Sequence, residues 1–238
     1  MIDTLTTEAF LDALASGSAT PGGGSAAAVM GSMGAALVSM VANLTIGKKG
    51  YEAVEPGMRQ LLAESEALRT KLAAMVAEDV AAFDSLMAGY KLPKGTDDEK
   101  AARSAAIQRG LVLATEAPLA CARACAEGVR LAARAVEHGN LNVISDVGVG
   151  VLASWAALRS AALNVRINAP QIKDRGFADR AINELTPCSP NAGRSASACM
   201  TLSWPRWVEG DPGKGPRAAQ DLNRIKSNQV IGEPDGHP

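Results

Sequence analysis

Between Ala26 and Ile46 the chain carries no charged residue, and the run is built largely from Ala, Gly and Ser among Val, Leu, Ile and Met. No face of a helix with that composition is polar enough to meet water along its whole length, so other helices must surround it. Gly31, Gly34 and Ala35 recur at three- and four-residue spacings, which lets neighbouring helices approach closely. A membrane span is the competing reading by length, but Ala, Gly and Ser insert poorly on transfer scales. The expectation is a buried central helix and no membrane.

Immediately before this run stands Pro21-Gly22-Gly23-Gly24-Ser25. The three glycines predict a loop able to take positive φ and to admit a backbone or ligand at close range. Ser25 is expected to cap the helix, whose free N–H groups would face an anion or carbonyl. Gly47 ends the run, and Lys48-Lys49 lie at its negative pole. The glycines follow no strand and end in no Lys-Ser/Thr pair, so neither a dinucleotide fingerprint nor a phosphate loop is supported.

Elsewhere the periodicity is helical. A short helix begins at Thr6 or Thr7, with Phe10, Leu11 and Leu14 on one face. Pro56 opens a long helix to about Tyr90, whose stripe reads Leu61, Leu68, Leu72, Met75, Phe83 and Leu86. Thr96 or Asp97 starts the next, with a kink or break expected at Pro118 before it resumes to His138-Gly139-Asn140. A fifth spans about Ser145 to Asn168, and a sixth begins at Asp174 with Phe177 and Ile182 inward. No alternating run supports a strand. Aromatic residues make up only 3% of a chain that is 47% hydrophobic, which suits close helix packing better than a β sandwich. The expected fold is an all-α bundle of about six helices around a small-residue central helix, within residues 1–185.

Residues 186–238 differ in character, holding seven of twelve prolines and two of three tryptophans. This tail is expected to be disordered or loosely attached. Back-translated and read two nucleotides further on, its first residues permit a helical continuation, so a shifted reading frame is the hypothesis for its origin.

Composition also excludes. A net charge of −1 and no basic block argue against nucleic acid. Four cysteines and two histidines suggest neither a zinc site nor a disulfide framework, and reduced thiols in a cytoplasm fit best. No Ser-His-acid or Cys-His arrangement is credible. Asp79 is the sharpest single residue: a carboxylate on an apolar helical stripe is costly unless paired, neutral or used, and the plainer readings are a helix edge that curves to solvent or a pair with an arginine such as Arg103 or Arg109. Asn140, Ser145 and Asp146 surround the start of the fifth helix, where capping alone accounts for at least one of them.

Together these residues carry a resemblance. Pro-Gly-Gly-Gly-Ser-Ala-Ala-Ala (21–28), Met33-Gly34-Ala35-Ala36-Leu37, Gly47-Lys48-Lys49, Asp79 with Ala82-Phe83, Leu92-Pro93-Lys94, Gly139-Asn140, Ser145-Asp146 and Asn164-Val165 through Ile167-Asn168 occur in one order. In that pattern the chain resembles the formiminotransferase-cyclodeaminase C-terminal domain family over roughly residues 5 to 185. The resemblance implies an all-helical homodimer acting on tetrahydrofolate derivatives, with no metal or other cofactor. Lacking a formiminotransferase half, the chain is most similar to free-standing bacterial methenyltetrahydrofolate cyclohydrolases, which convert 5,10-methenyltetrahydrofolate to 10-formyltetrahydrofolate. The alternatives are the cyclodeaminase, which releases ammonia from the formimino substrate, and a non-catalytic folate-binding or scaffold subunit. Asp79 matches the family's catalytic acid. Lys48 would assist it at the reacting oxygen, Gly22, Gly23, Gly24 and Ser25 would supply donors to the pterin, and Asn140, Ser145 and Asp146 would bind substrate.

Overall fold

The computed structural model describes residues 6–185, and the tail discussed above lies outside them. Among the described residues there are six α-helices and no strand. In chain order these are α1 (Thr7–Ala15), α2 (Gly23–Asn43), α3 (Glu55–Lys91), α4 (Asp97–His138), α5 (Ile144–Asn168) and α6 (175–185). Single 3₁₀ turns at Glu52–Val54, Leu141–Val143 and Ala169–Gln171 join them.

The expected central helix is α2. It packs against α3, α4 and α5 at once, and Ala27, Ala35, Val38, Val41 and Ala42 are wholly buried. Its tightest crossing is with α5 at Gly34, where a Cβ would stand 2.9 Å from the carbonyl oxygen of Gly150. Only glycine permits that approach. The hydroxyl of Ser154 fills the same crossing and, among the described residues, is the buried side-chain polar atom without a hydrogen-bond partner. Against α3 the contact is different. Ser25, Ser32 and Ser39 follow one another every seven residues, meeting Asp79, the carbonyl of Arg69 and Ser65 in turn. This polar seam fixes how the antiparallel pair α2 and α3 lie along each other.

Helix starts follow local chemistry. Thr6 caps α1 by accepting the N–H of Ala9, and Thr96 caps α4 in a reciprocal box with Glu99. In α1, Phe10 packs on the core while Leu11 is exposed, so the expected apolar face is narrower than the pattern implied. Along α3, Leu61, Leu68, Leu72, Met75 and Leu86 are buried as expected, and Phe83 is half-buried. In α6, Phe177 and Ile182 are half-buried and pack on a second cluster around Leu86 and Leu111.

Two local expectations are corrected. Gly23 and Gly24 are helical rather than loop, the N-cap is Gly22, and Ser25 lies in the first turn with its hydroxyl turned elsewhere. Among the described residues, the glycines with positive φ are Gly47 and Gly50 instead. Further on, α4 runs unbroken through Pro118. Proline there deprives the carbonyl of Ala114 of its helical donor. The side-chain amide of Asn168, on α5, donates to that carbonyl at 2.7 Å and makes up the loss.

Candidate active site

The start of α2 brings a first group of the expected residues together. Asp79, half-buried on α3, accepts a hydrogen bond from the Ser25 hydroxyl at 2.8 Å through Oδ2. Its other oxygen rests over Gly24, where a Cβ would come within 2.1 Å of Oδ1. The helix start is thus built around the carboxylate: glycine for space, serine for orientation. No ion pair holds Asp79 among the described residues. Arg103, one expected partner, instead donates to the carbonyl of Tyr90. Because Ser25 is fully buried and committed to Asp79, it does not face a ligand directly. Gly22, the N-cap, is half-buried and Gly23 is exposed, with open space where its Cβ would be, so neither touches the carboxylate as Gly24 does.

A second group gathers at the opposite end of α2. Lys48 donates to Oδ1 of Asn140 at 2.7 Å and stands 5.6 Å from the centre of the Tyr51 ring. Asn140 is 5% exposed. Its Oδ1 also accepts the N–H of Asn142, its side-chain amide donates to the carbonyl of Leu44, and its backbone N–H donates to Thr45 Oγ1. Asn140 therefore holds Lys48 and ties the end of α2 to the α4–α5 turn. Ser145 and Asp146 follow in the first turn of α5, one exposed and the other half-buried. Thr45 and Tyr51 complete this group, and neither stands out in the sequence. Tyr51 lies three residues after Lys48, and its hydroxyl accepts the N–H of Leu141.

The two groups do not meet within one chain. Eighteen residues of helix separate Ser25 from Asn43, a rise of about 27 Å at 1.5 Å per residue. Large apolar side chains are left exposed on these two helices: Met33 and Met40 of α2, Leu44 just beyond its end, and Val149, Leu152, Leu163 and Ile167 of α5. The helical segment Leu141–Gln171 is apolar enough to cross a membrane by composition, yet only 39% of its most apolar window is buried in the fold.

Two other clusters have plain readings. Cys121 and Cys125 are buried with their sulfurs 3.9 Å apart, and that contact together with burial pushes the Cys125 thiol well above its ordinary range. Such a thiol stays protonated and unreactive. Among the described residues no group of three or more His, Cys, Asp or Glu side chains is placed to hold a metal.

Comparison with known proteins bears on this geometry. Residues 6–186 match the family model described as formiminotransferase-cyclodeaminase. The chain belongs to that family. It is 58% identical over 188 residues to the methenyltetrahydrofolate cyclohydrolase of Methylorubrum extorquens, covering 79% of this chain and 90% of that protein. To the formimidoyltransferase-cyclodeaminase of Gallus gallus it is 36% identical, over 82% of this chain and 36% of that longer protein. Among solved structures, the formiminotetrahydrofolate cyclodeaminase of Thermotoga maritima superposes with a TM-score of 0.77 at 29% identity, covering 86% of this chain and 98% of that one.

Proposed function

We propose that this protein hydrolyses 5,10-methenyltetrahydrofolate to 10-formyltetrahydrofolate. The observation carrying the reading is Asp79, a carboxylate without an ion-pair partner among the described residues and seated on a helix start shaped to receive it. The 58% identity to a cyclohydrolase along 90% of that protein supports the same reaction.

Water adds to the cationic methenyl carbon while Asp79 takes one of its protons. The carbinol then loses its hydroxyl proton to solvent as the formyl C=O forms. The bond from that carbon to N5 breaks, and N5 takes the proton held by Asp79. One proton is released per turnover. The first-turn N–H groups of α2 and the ammonium of Lys48 offer donors to the pterin and to the developing oxygen.

Lys48 reaches this chemistry only from a second copy. The chain acts as a homodimer in which the apolar faces of α2 and α5 meet their equivalents about a two-fold axis. An antiparallel pairing of the two α2 helices sets the anionic Ser25–Asp79 end of each against the cationic Lys48–Asn140 end of the other. The reduced, buried pair Cys121 and Cys125 suits a cytoplasmic enzyme.

The cyclodeaminase reaction is the second reading, favoured by the likeness to the Thermotoga structure. Purified protein separates the two. Loss of methenyl absorbance without ammonia release from 5-formiminotetrahydrofolate supports the cyclohydrolase, and the reverse pattern supports the cyclodeaminase.

A further inference from the structure

Asn164-Val165 through Ile167-Asn168 has no part in either group above, and its two asparagines differ in what holds them. Asn168 serves the fold, because its amide donates to the Ala114 carbonyl at 2.7 Å. Asn164 serves nothing comparable. Its side-chain N–H reaches only the Ser160 carbonyl, one turn back on its own helix, at 3.4 Å. Its Oδ1 accepts no hydrogen bond among the described residues. Asparagine is a poor choice for a helix interior, and this one is half-buried with its amide almost unused.

The packing of α5 on α2 tells where that amide stands. The two helices run antiparallel: Asn140, just ahead of α5, bonds to Leu44 and Thr45 at the end of α2, and Gly150 and Ser154 meet Gly34 further in. Both helices rise by about 1.5 Å per residue. The twelve residues from Gly34 back to Gly22 therefore carry α5 from Gly150–Ser154 on to Asn164. Gly150, Ala157 and Asn164 recur every seven residues, so Asn164 lies on the side of α5 that Gly150 turns to α2. It stands level with Gly22, the N-cap.

Asp79 flanks the same helix start from the other side. Ser25, which meets Asp79, and Gly34, which meets α5, are nine residues apart and so lie on opposite sides of α2. Yet α2 begins at Gly23, whereas α3 continues past Asp79 to Lys91 and α5 past Asn164 to Asn168. Beyond Gly22 no turn of α2 separates the helix of the carboxylate from the helix of the amide. A tetrahydropterin carries its one-carbon unit on N5 of the reduced ring, and its pyrimidine ring has an N3–H beside the C4 carbonyl. A carboxamide has an acceptor and a donor side by side. It pairs with such an edge through two hydrogen bonds, as it does with the edge of adenine.

We propose that Asn164 binds the pterin edge of the folate substrate, Oδ1 accepting N3–H and Nδ2 donating to the C4 carbonyl, while the one-carbon unit lies at Asp79. The proposal rests on the folate reading of the Asp79 site.

Equilibrium binding tests it without requiring turnover. The ligands are tetrahydrofolate and its N3-methyl derivative, in which the N3–H is blocked. The proteins are wild type, Asn164→Ala and Asn164→Asp; the aspartate keeps the size and an acceptor but has no N–H for the C4 carbonyl. Wild type is expected to bind tetrahydrofolate at least tenfold more tightly than the N3-methyl derivative. Asn164→Ala should lose that preference, and either variant should raise Kd for tetrahydrofolate about tenfold. A purely structural asparagine would weaken both ligands alike and leave the preference intact. A preference that survives in Asn164→Ala, or wild-type affinity for tetrahydrofolate in Asn164→Asp, overturns the proposal. The expected binding pattern without methenyl hydrolysis would leave the assignment of Asn164 standing and remove the cyclohydrolase reading. Hydrolysis with binding indifferent to both variants would do the opposite, and a wild type that binds neither ligand removes both.

Discussion

At Gly24 a single methyl group decides whether Asp79 keeps its place. An added Cβ would stand 2.1 Å from Oδ1 and 2.6 Å from Cγ of the carboxylate, so the side chain must swing away. The backbone itself tolerates alanine, since Gly24 is helical and its φ is not in the left-handed region. Gly24→Ala should nonetheless lower thermal stability modestly: the displaced carboxylate leaves the buried Ser25 hydroxyl without its acceptor, at a cost of about 1–3 kcal/mol, against the about 0.5–1 kcal/mol by which a helix favours alanine over glycine. The same variant should lose about a hundredfold in kcat through misplacement of the reacting group. Thermal denaturation measured beside kcat separates these effects, and wild-type kcat would refute the role given to Gly24. Asp79 stands out in the sequence because a carboxylate interrupting an apolar stripe needs a reason. The use of Ser25 was not legible. A serine after glycines reads as a cap from local chemistry alone, and its true acceptor lies 54 residues away.

Among the elements, α4 shows the same limit. Period and capping residues located the helices well, and Thr96 with Glu99 marks the start of α4 as clearly in sequence as in structure. Pro118 reads as a break for sound reasons, because proline removes a donor and crowds the preceding turn. The break does not form, since Asn168 on α5 supplies a substitute donor for the Ala114 carbonyl. That compensation comes from tertiary packing and has no local signal. Asn168→Leu leaves the carbonyl without its donor, at a cost of about 1–3 kcal/mol. For a chain of this size the melting temperature should fall by several degrees, at about 2–4 °C per kcal/mol. An unchanged melting temperature would mean that α4 tolerates the proline without α5.

For the molecule as a whole, the sequence order of the site residues concealed their spacing. Lys48 and Asn140, far apart in the chain, are in contact, whereas Ser25 and Lys48 stand at opposite ends of α2. A motif list carries no helix length, so a single pocket was the natural expectation, and the fold divides it into two. If two copies complete each site, mixed dimers can recover what neither variant has alone. One copy with Asp79→Asn and one with Lys48→Ala make one intact and one doubly altered site. Co-expression with random pairing should restore about a quarter of wild-type activity, one working site in half of the dimers. Recovery no greater than the sum of the separate variants would place Lys48 outside the Asp79 site.

If Asp79 carries a proton in the hydrolysis of a methenyl carbon, removing its charge must slow that reaction. The test is kcat for loss of methenyl absorbance by purified wild type and by Asp79→Asn, a variant that keeps side-chain size and a hydrogen-bonding partner for Ser25. Wild type should hydrolyse the substrate, and the variant should be slower by about a hundredfold or more. A variant that matches wild type would remove Asp79 from the chemistry, and a wild type that leaves the methenyl group intact would remove the hydrolysis itself.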